Sequence, residues 1–191
     1  MAELARMTLK DPQRAARALL AEGVPLGARS AGLLLVAVLS ALLASLHVGN
    51  PEGLDPFSAL MLGSPIQAAV FQWLFLAATV FLMHRVGRAF GGRGSFADAL
   101  LVVVWLQLIM LGFQLLQFVL MPISPDVAGL VGLVSFGIYL WLMTVFIAEL
   151  HGFTARGMVF LVMLLTALAA GFLLAMVMIL LFGPEALIAN V

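Results

Sequence analysis

Five apolar runs without a charged side chain constrain this chain more than any other feature of its sequence. They cover residues 33–48, 66–83, 99–121, 127–148 and 158–182. Crossing about 30 Å of hydrocarbon takes about 20 helical residues, and lipid selects against charge at the bilayer centre. Because the runs are continuous rather than alternating, they do not fit a transmembrane β-barrel. We therefore expect an all-α membrane protein with a five-helix transmembrane bundle.

The composition excludes an ordinary soluble domain. The chain is 64% hydrophobic and 9% charged, whereas roughly a quarter of a typical globular protein is charged. The chain has no cysteine, which excludes disulfides, thiol catalysis and thiolate–metal chemistry.

All nine basic residues fall on one side of the membrane if the chain crosses it five times. These residues are Arg6, Lys10, Arg14, Arg17, Arg29, Arg85, Arg88, Arg93 and Arg156. The nine basic groups less five acidic ones leave +4 on that side, and four acidic residues leave −4 on the other. Cytoplasmic loops carry the excess of basic residues, so we predict a cytoplasmic N-terminus and an exterior C-terminus.

We expect one transmembrane domain with short flanking segments. Residues 1–29 form a cytoplasmic basic segment, 30–183 the domain and 184–191 an exterior tail. The predicted spans are about 30–49, 66–84, 98–121, 126–149 and 157–182. Asp11 before Pro12 predicts the start of a short amphipathic helix in the N-terminal segment. This helix either rests on anionic headgroups or is a solvated leader.

Other helix starts carry the same signal of a capping residue followed by proline. The pairs are Asp55-Pro56, Ser64-Pro65 and Ser124-Pro125. The first predicts a small interfacial helix over residues 57–62. Ser95 and Asp98 form a capping box before the third span.

Three side chains near the inner ends of spans suggest a polar cluster. His84, Glu149 and His151 together could suit zinc, but they lack ligand spacing. A carboxylate at a span end needs a partner, so we expect an interfacial ion pair for Glu149 with one of three arginines. The candidates are Arg85, Arg88 and Arg156. We predict no catalytic residue, metal or cofactor.

Glutamines form a polar stripe inside the membrane. Gln107, Gln114 and Gln117 share one face of the third span, and Gln72 lies on the second. Such a stripe either lines a path for a small solute or supplies hydrogen bonds between helices. The lack of intramembrane charge favours the structural interpretation.

Small residues recur every four positions on two spans, which allows helices to approach closely. They are Ala37, Ala41 and Ser45 on the first span, and Ala167, Gly171 and Ala175 on the fifth. These faces pair either within one bundle or between two copies of the chain.

The glycine-rich connection between the second and third spans invites a phosphate-loop interpretation. It lacks the Gly-Lys-Ser/Thr ending and joins two membrane helices rather than a strand and a helix. We expect Gly87, Gly91, Gly92 and Gly94 to make a mobile hinge. The sequence has no Ser-His-Asp arrangement, metalloprotease motif or basic nucleic-acid surface.

Two short segments resemble the Yip1 domain family, especially its small bacterial members. They are RAFGGRGSF at 88–96 and ELHGF at 149–153. The resemblance implies five spans and a non-enzymatic role in a bacterial inner membrane. Eukaryotic relatives act in vesicle trafficking and bind small GTPases, but their Asp-Leu-Tyr-Gly-Pro-type segment is missing here. No GTPase-binding residue is therefore carried over.

Together these features favour an adaptor, scaffold or membrane organiser. Its expected partners are membrane lipids, other membrane proteins and a second copy of the chain, but not nucleic acid. The alternative is a small permease or channel with a glutamine-lined path in the third span.

Overall fold

Seven helices account for nearly all of the chain that the computed structural model describes, which is residues 2–48 and 63–182. They are α1 (Ala2–Lys10), α2 (Pro12–Ala21), α3 (Leu26–Val48), α4 (Pro65–Ala89), α5 (Phe96–Leu120), α6 (Pro125–His151) and α7 (Arg156–Phe182). Those two stretches contain no β-strand. The predicted interfacial helix over 57–62 lies outside the described residues.

Helices α3 to α7 are each long and apolar enough to cross a membrane. At about 1.5 Å per residue, their lengths match about 30 Å of hydrocarbon. The predicted five-helix transmembrane bundle is therefore confirmed. Helix α4 continues to Ala89, beyond the predicted end near residue 84, because charged side chains end an apolar run without ending the helix.

Capping residues begin several helices as predicted. Asp11 accepts a hydrogen bond from the Arg14 amide at 3.1 Å, and Ser64 accepts one from the Gln67 amide at 3.2 Å. Ser95 accepts from the Asp98 amide at 3.1 Å and donates its hydroxyl proton to the Asp98 carboxylate at 2.6 Å. Pro125 begins α6, although the side chain of Ser124 makes no capping hydrogen bond.

Helix α5 lies at the centre of the bundle. It packs against α2, α3, α4 and α6, and its side chains are buried without a break from Ala99 to Gln107. A helix that is apolar on all sides can lie in a protein core or in lipid, and the helices packed around α5 place it in the core.

The two faces of small residues meet different surroundings. Ala37 and Ala41 are buried inside the bundle. Ala167 and Gly171 on α7 are exposed, and a Cβ on Gly171 would meet open space. Helix α7 packs mainly on α6, so its small-residue face is not covered by another described helix.

The N-terminal segment packs on the bundle. Helix α2 buries Ala15, Ala16 and Leu19 against the bundle, where it contacts α5 and α6. Thr8 of α1 is fully buried, and the indole Nε1–H of Trp105 donates to its hydroxyl oxygen at 2.9 Å. The segment is two helices rather than one, and its inner face meets protein rather than headgroups or water.

We predict that Thr8→Val releases α1 from the bundle, because it leaves the buried indole N–H of Trp105 without a partner. Such a loss costs about 1–3 kcal/mol, which increases local opening roughly five- to 150-fold. The rate of trypsin cleavage after Lys10 measures this opening. Thr166→Val is the control, since the Thr166 hydroxyl bonds only within its own helix, to the carbonyl of Val162. Equal cleavage rates in the two variants would contradict the contact.

Candidate functional site

All nine basic residues lie at one end of the bundle, which we call the basic end. Here α3, α5 and α7 begin, α4 and α6 end, and α1 and α2 dock. Arg29 is buried, whereas the other eight basic side chains are exposed. The basic end is thus a largely open cationic surface.

A partly buried ion pair joins the starts of two spans at the basic end, with the Arg29 side chain 9% and the Asp98 side chain 34% exposed. The Arg29 guanidinium donates to the Asp98 carboxylate at 2.8 Å and to the Val24 carbonyl at 2.7 Å. Asp98 also accepts the hydroxyl proton of Ser95. A buried charge requires such partners, so this pair fixes α3 beside α5.

Glu149 is held by the N-terminal segment. The Arg17 guanidinium donates to its two carboxylate oxygens at 2.8 and 3.3 Å, and the Gln13 amide donates at 3.0 Å. This hydrogen-bonded pair raises the pKa of Arg17 above its ordinary value. The sequence had indicated Arg85, Arg88 or Arg156 as the partner. It could not reveal that α2 packs on the end of α6.

His151 sits in a cradle of backbone. The residue is 2% exposed; the Gly94 N–H donates to Nδ1 at 3.3 Å, and Nε2 lies 3.1 Å from the Met83 carbonyl oxygen. Because Nδ1 accepts, we assign the proton to Nε2, where it is donated to Met83. The imidazole is therefore neutral. Phe153 stacks on it with ring centroids 5.5 Å apart.

The glycine-rich connection forms the walls of this cradle. A Cβ on Gly87 or Gly92 would overlap the His151 ring, and one on Gly94 would lie 2.7 Å from Leu150 Cγ. Gly91 has a φ of +82°, a turn conformation that glycine adopts readily. We expected a mobile hinge here, but these glycines instead permit close packing around an imidazole.

His84, Glu149 and His151 have separate partners. His84 meets Phe96 edge to face at 5.9 Å, and its Nδ1 is buried without a hydrogen-bond partner. Glu149 faces α2, whereas His151 lies in the glycine cradle. Over 2–48 and 63–182, no group of three or more His, Cys, Asp or Glu side chains is placed to hold a metal.

The glutamines lie toward the other end of the bundle. Gln72, Gln114 and Gln117 line a cavity of about 440 Å³. Gln107 is buried outside that lining. The Gln117 amide donates to the Ala128 carbonyl at 3.3 Å and lies over Gly132, whose lack of a side chain makes room for it.

The family model of the Yip1 domain matches residues 7–179. The chain belongs to the Yip1 domain family. The match includes the end of α1, all of α2 and nearly all of the five membrane helices, so α2 is part of the domain. No curated protein and no solved structure matches the chain.

The two segments that resemble the Yip1 family contact each other in the structure. Within this Yip1 domain, 88–96 supplies Gly92 and Gly94 of the cradle, and 149–153 supplies His151 and Phe153. The Arg93 amide also donates to the His151 carbonyl at 3.3 Å. The sequence signal for this contact was the group of glycines at 87–94 together with a histidine at the end of another span. The spacing of these residues did not by itself show that they pack against each other.

We predict that Gly87→Ala destabilises the Yip1 domain by about 1–3 kcal/mol, because the added methyl group overpacks the His151 ring. Thermal unfolding in one detergent measures the loss. Gly112→Ala is the control, since a Cβ there meets open space. An equal loss of stability in both variants would contradict the close contact between Gly87 and the His151 ring. Combined with His151→Ala, the cost of Gly87→Ala should shrink.

We also predict that Arg17→Gln loosens α2. The Arg17 side chain is 68% exposed, so solvent screens its pairing with Glu149 and the effect on α2 should be small and local. Hydrogen exchange of the α2 amides measures the lost protection, and Glu149→Gln should add little once Arg17 is replaced. Arg156→Gln is the control. If that variant deprotects α2 equally, Arg17 is not the specific partner of Glu149.

Proposed function

We propose that this Yip1 domain protein is a non-enzymatic adaptor, scaffold or membrane organiser of the bacterial inner membrane. It binds lipids and other membrane proteins through the basic end. The observation that carries this proposal is the docking of α1 and α2, which present charge on the face opposite their buried side. Arg6, Lys10 and Arg14 are exposed there, while Thr8, Ala15 and Ala16 are buried.

The docking makes these charges a fixed surface rather than a loose tail. Thr8 bonds to Trp105, and Arg17 bonds to Glu149, so both helices are held to the bundle. A binding surface that is already ordered loses less entropy when a partner binds. Each basic residue near an anionic membrane surface adds about 1 kcal/mol.

The distribution of charge supports the orientation. Cytoplasmic loops carry the excess of Lys and Arg, and the basic end holds all nine. We therefore place the N-terminus and the basic end in the cytoplasm and the C-terminus outside.

The hydrogen-bond partners of Asp98, Glu149 and His151 support a non-enzymatic role. Asp98 is bonded to Arg29, Glu149 to Arg17, and both nitrogens of His151 to backbone. Groups with these partners are poorly placed to exchange protons with a substrate. Membership of the Yip1 family points the same way.

The cavity beside the glutamines is the observation that favours the alternative, a small permease or channel. Toward the basic end, however, Leu76, Val80 and Leu106 are buried in the core. A solute path would require these residues to separate. Solute flux in proteoliposomes that falls on Gln114→Leu would support a permease and overturn the organiser proposal.

Native lipid discs test the adaptor role directly. We predict that proteins co-purifying with the wild-type chain are lost when Arg6, Lys10 and Arg14 are all changed to Gln. Quantitative mass spectrometry of the discs measures both proteins and lipids. The exposed α7 face leads us to expect a second copy among the recovered chains.

The matched control changes Arg85, Arg88 and Arg156 to Gln, which removes the same charge from the end of α4 and the start of α7. Loss of partners in the first variant alone would locate their contact on α1 and α2. Equal loss in both would mean that bulk charge, not a docking surface, recruits them. Recovery of no partner with the wild-type chain would contradict the adaptor role.

A further inference from the structure

A groove separates α4 from α7, and α6 forms its floor. We call it the α4–α7 groove. Both α4 and α7 pack on α6, and the space between them has a volume of about 570 Å³. Small-molecule sites have volumes of about 300–1,000 Å³. Phe75, Phe90 and Phe136 belong to the lining and are exposed, so the groove is open to the surrounding lipid.

The groove runs from the basic end into the membrane. On α4 its lining extends from Phe90 back to Phe75, and on α7 it extends from Ala155 to Ala167. At about 1.5 Å per residue, the wall on α4 is about 22 Å long, whereas one leaflet contains about 15 Å of hydrocarbon. An acyl chain that enters from the basic end can therefore lie in the groove over the whole depth of its leaflet.

The lining of the groove suits a hydrocarbon chain. Among the described residues it is apolar apart from Tyr139 and three threonines. Two of these, Thr79 and Thr166, donate their hydroxyl protons to carbonyls of their own helices at 2.9 and 2.7 Å. A gap between helices loses dispersion contacts, and an acyl chain in the groove restores them.

Two arginines flank the groove where it reaches the basic end. Arg88 precedes Phe90 of the lining by two residues, and Arg156 directly follows Ala155. Both arginines are exposed, and neither forms an ion pair with a residue in 2–48 or 63–182. Guanidinium groups bind phosphate through charge-assisted hydrogen bonds, often two at a time.

The glycine cradle joins Arg88 to the groove. Gly87 and Phe153 both line the groove and both pack on the His151 ring. Arg88 is near enough to His151 to interact with it electrostatically. The packing that fixes the end of α4 beside the end of α6 thus also places a cation at the opening of the groove.

We propose that the α4–α7 groove binds one acyl chain of an anionic phospholipid from the cytoplasmic leaflet, and that Arg88 and Arg156 bind its phosphate. This binding deepens the lipid association proposed for the basic end and rests on it. The groove alone would accept the chain of any phospholipid. The arginines select the anionic headgroup, because the phosphate of a zwitterionic lipid already carries its own cation.

Photocrosslinking in lipid discs tests the proposal with the wild-type chain. Phosphatidylglycerol or phosphatidylcholine with a diazirine in the middle of one acyl chain is added in trace amount to discs of unlabelled phosphatidylcholine. Two arginines near an anionic headgroup favour it about tenfold or more. The phosphatidylglycerol probe should therefore label Met143 and Met163 of the lining about ten times more than the phosphatidylcholine probe does, as measured by mass spectrometry.

Leu161 is the internal control, since it is exposed outside the lining and lies one helical turn or less from Met163. The two probes should label it equally. Equal labelling of Met143 and Met163 by the two probes would overturn the proposal, because the groove would then hold unselected lipid. Absence of labelling there by either probe would also overturn it, because a second copy or another segment of the chain would then cover the groove.

Arg88→Gln combined with Arg156→Gln tests the headgroup contact. This variant should lower labelling of Met163 by the phosphatidylglycerol probe to the level of the phosphatidylcholine probe. Unchanged labelling by phosphatidylcholine shows that the groove is intact. Arg6→Gln combined with Lys10→Gln removes the same charge from α1 and should leave the preference in place. An equal loss in both variants would mean that bulk charge attracts the lipid, which contradicts the site.

The readout also separates this site from the adaptor role. Protein partners are measured in native discs and are expected to depend on α1 and α2. Partners without a preference for phosphatidylglycerol in the groove would remove the lipid site alone. A preference in the groove without protein partners would remove the adaptor role alone.

Discussion

Hydrocarbon does not solvate charge, and the rest of this structure depends on that constraint. It confines every described charged side chain to the ends of the spans or to segments outside them, and it requires partners for those that are buried there. Asp98 is paired with Arg29, and Glu149 with Arg17. Since Arg17 belongs to α2, the second pair also fastens the N-terminal segment to the bundle. The same constraint thus governs both the spans and the surface proposed to bind partners.

The features that could be predicted from the sequence are those that depend on neighbouring residues. An apolar run predicts a span, and a serine or aspartate before proline predicts a helix start, because both effects act within a few turns. The caps at Asp11 and Ser64 therefore matched the structure. The partner predicted for Glu149 was wrong. Its actual partner, Arg17, lies 132 residues earlier in the chain, and no local sequence pattern predicts a contact over that separation.

The glycine cradle shows why the same residues support two interpretations. Glycine gives a chain conformational freedom, and it also gives neighbouring groups room. The sequence of 87–94 suggests conformational freedom. The room that these glycines leave for a neighbouring group is evident only in the structure, where the His151 ring fills it. The buried contact of Thr8 with Trp105 was hidden for a related reason. Neither residue carries a signal that indicates where its hydrogen-bond partner lies.

The two ends of α5 therefore differ in how completely their polar groups are satisfied. At the basic end, Asp98 bonds to Arg29 and Ser95, and further along, Trp105 bonds to Thr8. Near the other end, the Gln114 oxygen is buried without a partner, although the residue lines a cavity. Because Nδ1 of His84 at the basic end is also buried without a partner, unsatisfied polar atoms occur at both ends of the bundle and do not by themselves mark a ligand site.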